Sequence, residues 1–197
     1  PMNISEQRTK IALHKSGRLA NHSLDLLTRL GLKFTQSKDQ LFCYGENMPI
    51  DLLPVRDDDI PHLINYNLCD LGIAGFNVVE EKRVRYLEQK TIASFDQSYA
   101  LDFVQCRLAI AAPENIEYQG AQSLAGTRIA TSYPATLNAY LRDRDISAEI
   151  VTFAGAVEIA PKLGNAEFVC DLVSTGATLA ANQLREVDTI QTSEAII

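Results

Sequence analysis

The chain has 197 residues, of which 46% are hydrophobic and 22% are charged. This composition predicts a globular protein with enough chain for one large α/β domain or two small ones. Its 18 Lys and Arg residues against 25 Asp and Glu residues give a formal net charge of −7. That balance argues against a nucleic-acid-binding or membrane-surface protein, because no basic excess is available to neutralise a polyanion, although a small phosphorylated ligand would need only a local cluster of cations.

Short apolar runs alternate with amphipathic stretches along the whole chain. Predicted strands cover residues 10–13, 41–44, 50–55 and 69–74, then 106–112, 127–130, 148–153, 168–170 and 187–191. Predicted helices cover residues 19–30, 57–65, 135–143 and 157–163, with a last one from about residue 177. This alternation indicates βα units and mostly parallel sheets. The more polar segment 86–102 is the candidate crossover between two domains.

The cysteines and the N-terminal residues indicate the cellular compartment in which we expect the protein. The four cysteines lie far apart in apolar contexts, without any Cys-x-x-Cys pair, at Cys43, Cys69, Cys106 and Cys170. We therefore expect buried reduced thiols in a cytoplasmic protein rather than a zinc or redox site. The polar first residues predict no signal peptide, and no apolar run reaches the length of a membrane span.

Polar clusters follow nearly every predicted strand. They are Lys15–Arg18, Arg56–Asp59, Gly75–Asn77, Ser132–Tyr133, Gly155–Glu158 and Asp171–Thr178. Ligands of open α/β sheets bind outside the carboxyl ends of the strands. Because these clusters come from two sets of βα units, we expect a ligand cleft between two α/β lobes.

The segment 167–181 is the most informative of these clusters. It reads as an apolar strand, a tight loop that begins at Asp171 and contains Gly176, and a helix from about Ala177. Hydroxyl and glycine residues before a helix are typical of a phosphate-binding loop, because backbone N–H groups there point at an anion. A simple N-capped turn is the alternative. Asp171 cannot bind phosphate itself, so its expected target is a sugar hydroxyl or a cation.

The charged residues elsewhere leave alternatives open. Lys15 and Arg18 either bind an anion or lie solvated in a surface turn, and Arg56 at a strand end is the better candidate of its cluster. Arg128 lies inside a predicted strand, where a buried guanidinium needs an anionic partner. Glu158 either caps a short helix or contacts ligand hydroxyls. The three histidines have no metal-ligand spacing.

Taken together, the clusters resemble the ATP phosphoribosyltransferases, which catalyse the first step of histidine biosynthesis. The matching motifs are Lys15–Leu19 (KSGRL), Glu46–Pro61 (ENMPIDLLPVRDDDIP), Asp70–Val78 (DLGIAGFNV), Arg128–Pro134 (RIATSYP), Gly155–Pro161 (GAVEIAP) and Cys170–Asn182 (CDLVSTGATLAAN). The resemblance is greatest to the long form of the family, and it covers the catalytic core without the C-terminal regulatory domain.

The resemblance implies an α/β fold with two lobes of the periplasmic-binding-protein-like type II architecture and an interlobe cleft. Residues 2–100 with 184–197 would form the first domain and residues 101–183 the second, in which 171–179 bind phosphoribosyl pyrophosphate. The implied reaction transfers the 5-phosphoribosyl group to N1 of ATP and releases pyrophosphate, with Mg²⁺. A two-lobed protein that binds an anionic small molecule without catalysis is the alternative.

Site residues follow from the same resemblance. Lys15, Arg18 and Arg56 would act as catalytic residues on the pyrophosphate and triphosphate groups. Phosphoribosyl pyrophosphate would bind Glu158, Asp171, Ser174, Thr175, Gly176, Ala177 and Thr178. The nucleotide would contact Asp70, Gly75, Arg128, Ser132 and Tyr133. Asp171 is the one metal-ligand candidate, with Mg²⁺ held mostly by substrate.

The resemblance also implies partners. Beyond ATP and phosphoribosyl pyrophosphate, we expect a homo-oligomer, either a dimer or a hexamer built of dimers in the full-length form. A true short form would work with a regulatory partner protein. No nucleic-acid or membrane partner is expected.

Overall fold

The computed structural model describes residues 7–36, 38–90 and 98–197. Its strands, numbered in chain order, are β1 (Thr9–His14), β2 (Phe34–Thr35), β3 (Cys43–Gly45), β4 (Ile50–Val55), β5 (Leu71–Gly72), β6 (Ala74–Gly75), β7 (Cys106–Pro113), β8 (Arg128–Thr131), β9 (Glu149–Thr152), β10 (Phe168–Val173), β11 (Leu184–Ser193) and β12 (Ala195–Ile196). Its α-helices are α1 (Gly17–Arg29), α2 (Ile60–Asn65), α3 (Phe76–Glu88), α4 (Pro134–Arg142) and α5 (Ala177–Ala181). Short 3-10 turns cover Asp57–Asp59, Ala121–Leu124 and Val157–Ile159.

The chain divides into two compact units. Unit 1 comprises residues 1–79, 91–104 and 194–197, and unit 2 comprises residues 80–90 and 105–193. The sequence-based division placed all of 184–197 in the first domain. Instead, β11 pairs antiparallel with β7 along nearly its whole length, so 184–193 belong with the second sheet and only 194–197 with unit 1.

The sheet of unit 1 has the strand order β2-β3-β4-β1-β5. Strands β4, β1 and β5 are parallel, whereas β2 and β3 add an antiparallel edge. The continuous apolar run of β1 reflects burial on both faces of the sheet. Leu13, Leu52 and Ile73 are almost completely buried, and Leu27 of α1 packs in the same cluster.

The sheet of unit 2 has the order β11-β7-β10-β8-β9. Strands β10, β8 and β9 are parallel, whereas β7 and β11 are antiparallel to their neighbours. Successive residues of β7 enter different core clusters, because side chains alternate between the faces of a sheet. Leu108 and Ile110 pack with the residues of α4 on one face, and Ala109 and Ala111 pack with Val157 on the other.

Most predicted elements are present, with several differences. The predicted helix 57–65 begins as a 3-10 turn, and the predicted helix 157–163 is only a 3-10 turn at Val157–Ile159. The predicted strand 69–74 is broken into β5 and β6. Helix α3 was not expected, and it covers the start of the proposed crossover 86–102, of which residues 91–97 lie outside the described residues.

Candidate active site

Strands β1 and β4 bring the predicted catalytic cations of unit 1 to one sheet edge. His14 is level with Val55 in the parallel register, so the next residues, Lys15 and Arg56, lie side by side at the carboxyl ends. The Lys15 N–H donates to the Val55 carbonyl at 2.8 Å. Arg18 follows in the first turn of α1 and is exposed. Lys15 and Arg56 are therefore neighbours, and Arg18 follows Lys15 by three residues at the start of α1.

These cations differ in how they are paired. Arg56 Nε lies 3.4 Å from an Asp58 oxygen, and both side chains are largely exposed. Within residues 7–36, 38–90 and 98–197, the Lys15 and Arg18 side chains have no ion-pair partner. Exposed pairs contribute little to stability, so the charges of Lys15 and Arg18 are available to an anion, whereas the Arg56 charge is shared with Asp58.

The two predicted nucleotide-binding residues of unit 1 lie at different places. Gly75 lies in β6, toward the same end as Lys15, and a Cβ there would clash with Asn77 Oδ1. Asp70 instead accepts a hydrogen bond from Lys10 N–H at 2.8 Å, at the amino end of β1. His14 lies four residues further along the strand than Lys10, which corresponds to a distance of about 13 Å. Asp70 therefore lies away from the cationic edge.

A cavity of about 450 Å³ lies in unit 1 beside α2 and β5. Its walls are mainly apolar, with Ile60, Ile64 and Leu71 among them, and Asp70 is the one predicted site residue that lines it. Because the cavity contains none of Lys15, Arg18 and Arg56, we assign the polar strand ends, and not this cavity, as the candidate site.

The predicted phosphate loop of unit 2 follows β10. Gly176 adopts φ +82°, and its neighbours Ser174, Thr175 and Thr178 are exposed. Thr175 Oγ1 accepts from Ala177 N–H at 3.3 Å, whereas the Ser174 and Thr178 hydroxyls have no partner in the described part of the chain. A left-handed residue of this kind turns successive N–H groups toward one concavity, which suits an anion. Helix α5 has five residues, so its dipole adds less than the sequence suggested.

Asp171 lies inside β10, opposite Ala109 of β7, and not in the loop as the sequence suggested. Its carboxylate accepts from Leu172 N–H at 2.8 Å. Burial raises the pKa of the Asp171 carboxyl, and the nearby Glu158 carboxylate raises it further, against the lowering effect of the Leu172 hydrogen bond. Two acidic groups thus lie near each other at the base of the loop and favour a hydroxyl or a cation between them.

Ser132 and Tyr133 are neighbours of this acidic pair. Strand β8 runs parallel to β10 with Thr131 level with Cys170, so Ser132 lies beside Asp171 at the carboxyl edge. Ser132 Oγ donates to the Phe153 carbonyl at 2.8 Å, and Tyr133 N–H donates to Thr131 Oγ1 at 2.9 Å. Two of the predicted nucleotide residues of unit 2, Ser132 and Tyr133, therefore lie next to the predicted phosphoribosyl residue Asp171.

Arg128 does not join them. It is the first residue of β8, and its N–H and guanidinium bind the Glu167 carboxylate at 2.7 and 2.9 Å. Three residues of strand, about 10 Å, separate it from Thr131. The partner that the sequence required is present, but the pair lies at the amino edge of the sheet. The nucleotide-binding assignment of Arg128 therefore has no geometric support.

Two contacts near the site were not foreseen from the sequence. Arg107 binds both oxygens of Glu186 at 2.6 Å and donates to the Ser174 carbonyl at 3.4 Å, so a guanidinium supports the predicted phosphate loop. Glu81 of α3 accepts hydrogen bonds from the N–H groups of Ala135 and Thr136. The sequence carries one signal for the second contact, since α4 begins at Tyr133-Pro134 without a capping side chain.

The acidic residues near the loop offer few ligands to a metal ion. No group of three or more His, Cys, Asp or Glu side chains with suitable placement exists among the described residues. Asp171 has one hydrogen bond to Leu172 and no cationic partner in the part of the chain described. This arrangement fits an ion such as Mg²⁺ that takes one or two carboxylates and completes its shell with substrate oxygens.

Comparison with known proteins identifies relatives of this chain. The family model HisG, ATP phosphoribosyltransferase, matches residues 56–197. An ATP phosphoribosyltransferase of Stenotrophomonas maltophilia is 49% identical over 98% of this chain, which spans 64% of that relative's length. The ATP phosphoribosyl transferase (HisG:HisZ) complex from Thermotoga maritima contains a chain with 25% identity and a TM-score of 0.78, covering 96% of this chain and 85% of its own.

A more distant structure has a similar fold. The alkanesulfonate-binding protein SsuA of Xanthomonas axonopodis pv. citri has a TM-score of 0.52 at 13% identity, covering 96% of this chain and 64% of its own. This likeness confirms the α/β fold of the periplasmic-binding-protein type and no more. None of the helices in residues 7–36, 38–90 and 98–197 has the length and apolar character of a membrane span. On the family match, the chain belongs to the ATP phosphoribosyltransferases.

Proposed function

We propose that this chain transfers the 5-phosphoribosyl group of phosphoribosyl pyrophosphate to N1 of ATP. A bond forms between N1 and C1 of the ribose, the C1–O bond breaks, and pyrophosphate leaves. The observation that carries the proposal is that the loop Ser174–Thr178 and the Ser132–Tyr133 turn follow adjacent parallel strands, β10 and β8, at one sheet edge. Membership in the family supports the same reaction.

The proposed roles follow the chemistry of each group. Backbone N–H groups and hydroxyls of residues 174–178 would hold the 5-phosphate, while Asp171 and Glu158 would accept from the ribose hydroxyls. Ser132 and Tyr133 would contact the nucleotide. Lys15, Arg18 and Arg56 would stabilise negative charge on the leaving pyrophosphate and on the triphosphate.

Catalysis of this kind needs little acid–base chemistry. The nucleophile is a neutral ring nitrogen, so positioning the two substrates supplies much of the rate enhancement. Positive charge develops on the sugar and negative charge on the leaving group, and fixed cations lower the energy of the latter. The exposed Lys15 and Arg18 side chains, which have no ion-pair partner among the residues that the structure describes, suit that task.

Mg²⁺ is part of the proposal. Asp171 would hold it together with substrate oxygens, and Glu158 lies close enough to influence the Asp171 charge. When bound, the ion would neutralise charge on the pyrophosphate and make it a better leaving group.

We also propose an oligomeric state and a cellular location for the chain. A homo-oligomer is expected, and the Thermotoga maritima relative is a HisG:HisZ complex, which supports a regulatory partner only if this chain acts as a short form. Free cysteines at Cys43, Cys69, Cys106 and Cys170 are compatible with a reducing, cytoplasmic location.

The proposal is tested by mixing the chain with ATP, phosphoribosyl pyrophosphate and Mg²⁺ and measuring pyrophosphate release. Arg18→Ala should lower kcat/KM and phosphoribosyl pyrophosphate affinity about tenfold or more, since a charge-assisted hydrogen bond is lost. Arg29→Ala removes the same charge from the other end of α1, where Arg29 pairs with Asp25, and is the matched control. Absence of release together with absence of ligand-induced thermal stabilisation would contradict the proposal.

A further inference from the structure

Helix α4 starts without any cap of its own. Its N-cap residue Tyr133 makes no side-chain capping hydrogen bond, and Pro134 at the first position has no N–H. The next N–H groups, of Ala135 and Thr136, are buried with their residues. Unsatisfied N–H groups at a buried helix start are costly, so an acceptor from elsewhere in the fold is required.

Glu81 supplies that acceptor. Its side chain lies on α3, and the residue is 6% exposed. One carboxylate oxygen accepts from Ala135 N–H, and the other accepts from both Thr136 N–H and Thr136 Oγ1, each at 2.8 Å. Arg85, one turn along α3, lies 3.5 Å from the same carboxylate and offsets its charge.

The position of the turn that precedes α4 is linked to the capped first turn of this helix. Ser132 and Tyr133 connect β8 to the helix, and they are held on the strand side by the Phe153 carbonyl and Thr131 Oγ1. On the helix side, the Tyr133 carbonyl accepts from Leu137 N–H at 3.1 Å within the turn that Glu81 holds. A shift of the first turn of α4 would therefore move both residues of the candidate nucleotide site.

The same carboxylate fills the place that an anion would take. A helix N-terminus ordinarily attracts phosphate groups, but here the two N–H groups already bind Glu81. Phosphate binding in unit 2 is left to the loop Ser174–Thr178, while Ser132 and Tyr133 remain for the uncharged part of the nucleotide.

We propose that Glu81 is a positioning residue for the nucleotide site, which it serves by capping α4 from another helix and so fixing Ser132 and Tyr133. The inference rests on the proposed function for its ligand. It requires that loss of the Glu81 cap weaken nucleotide binding selectively and leave phosphoribosyl pyrophosphate binding at the Ser174–Thr178 loop intact.

The test measures the dissociation constants of ATP and of phosphoribosyl pyrophosphate separately by calorimetry. Glu81→Gln keeps the shape of the side chain but turns one acceptor into a donor that faces N–H groups. We expect ATP affinity to fall about tenfold or more, and phosphoribosyl pyrophosphate affinity to change less than about threefold. Thr136→Val removes only the hydroxyl contact and should give a smaller loss in the same direction.

Glu88→Gln is the matched control. Glu88 lies on the same helix α3 and also contacts α4, but through exposed Asn138 and Arg142, so both affinities should stay at the wild-type values. Unchanged ATP affinity in Glu81→Gln, or equal loss of both ligands, would overturn the inference. If Glu81→Gln does not fold, Thr136→Val takes its place: a loss of ATP affinity without an equal loss of phosphoribosyl pyrophosphate affinity supports the inference, and any other result overturns it. A wild-type chain that binds neither ligand would instead overturn the proposed function.

Discussion

Replacing Gly176 by alanine tests the phosphate loop most simply. Gly176 has φ +82°, and a Cβ built there meets no atom within 4 Å. The cost of Gly176→Ala is therefore backbone strain alone, about 1–2 kcal/mol for a residue with a side chain in the left-handed region. For a chain of this size each kcal/mol lowers Tm by about 2–4 °C, so the full cost corresponds to about 2–8 °C.

The strain energy can appear either as a loss of stability or as a loss of ligand affinity. If the loop keeps its conformation, the variant loses the whole cost as stability and binds phosphoribosyl pyrophosphate normally. If the loop relaxes, stability is kept and the ligand must restore the strained conformation, which weakens binding by a factor of about 5–30. The sum of the two losses should equal about 1–2 kcal/mol.

The assay is thermal unfolding with and without phosphoribosyl pyrophosphate, together with calorimetric titration. Gly126→Ala is the matched control, because Gly126 has φ +72° and equally open surroundings but precedes β8 at the amino edge of the sheet. It should lose stability and keep its ligand affinity. An unchanged Tm together with an unchanged affinity in Gly176→Ala would refute the left-handed conformation of Gly176 on which the loop's shape depends.

Three further predictions concern charge and packing. Asp171→Asn should raise Tm at neutral pH, because burial raises the folded-state pKa of this carboxyl, and the gain should vanish below about pH 4, near the ordinary aspartate pKa. Asp51→Asn should lower Tm at neutral pH, since hydrogen bonds from Arg8 lower the pKa of that carboxyl, and its loss should shrink as pH falls below that same value. Leu137→Ala, at a fully buried position, should cost about 2–5 kcal/mol in urea unfolding.

The outcomes that contradict these predictions are distinct. A gain for Asp171→Asn that is larger in acid than at neutral pH would mean that the carboxylate is stabilised in the fold. A loss for Asp51→Asn that grows in acid would contradict the Arg8 contact. A cost for Leu137→Ala under about 1 kcal/mol would mean that the α4 side of the sheet is loosely packed.

The apolar strands were predictable because a strand in the interior of a sheet appears in the sequence as a short run of mainly apolar residues. Ile50–Val55 was predicted with its observed bounds, and β1 within one residue at each end. Asp171 was predicted as a loop residue, since a carboxylate interrupts an apolar run, yet its backbone continues the ladder with β7. Helix α3 was missed, because Asn77 and neighbouring valines are weak helix formers.

The positions of the site residues relative to one another were harder to predict than the strands to which they belong. Lys15 and Arg56 come together because β1 and β4 pair in parallel register; apolar patterning predicted mostly parallel sheets but not which strands pair. The family resemblance grouped Arg128 with Ser132, but a strand carries its two ends to opposite edges of the sheet. The Glu81 cap joins residues 54 positions apart, and such long-range contacts leave no local pattern.

We propose that the loop Ser174–Thr178 binds the phosphate of phosphoribosyl pyrophosphate. The most direct measurement is a titration of the isotopically labelled chain with this ligand, following backbone amide resonances by NMR. We predict that the largest shifts fall on the amides of 174–178, with smaller ones at Ser132 and Tyr133. Shifts confined to the cavity around Ile64, or no shift in the loop at saturation, would contradict the claim.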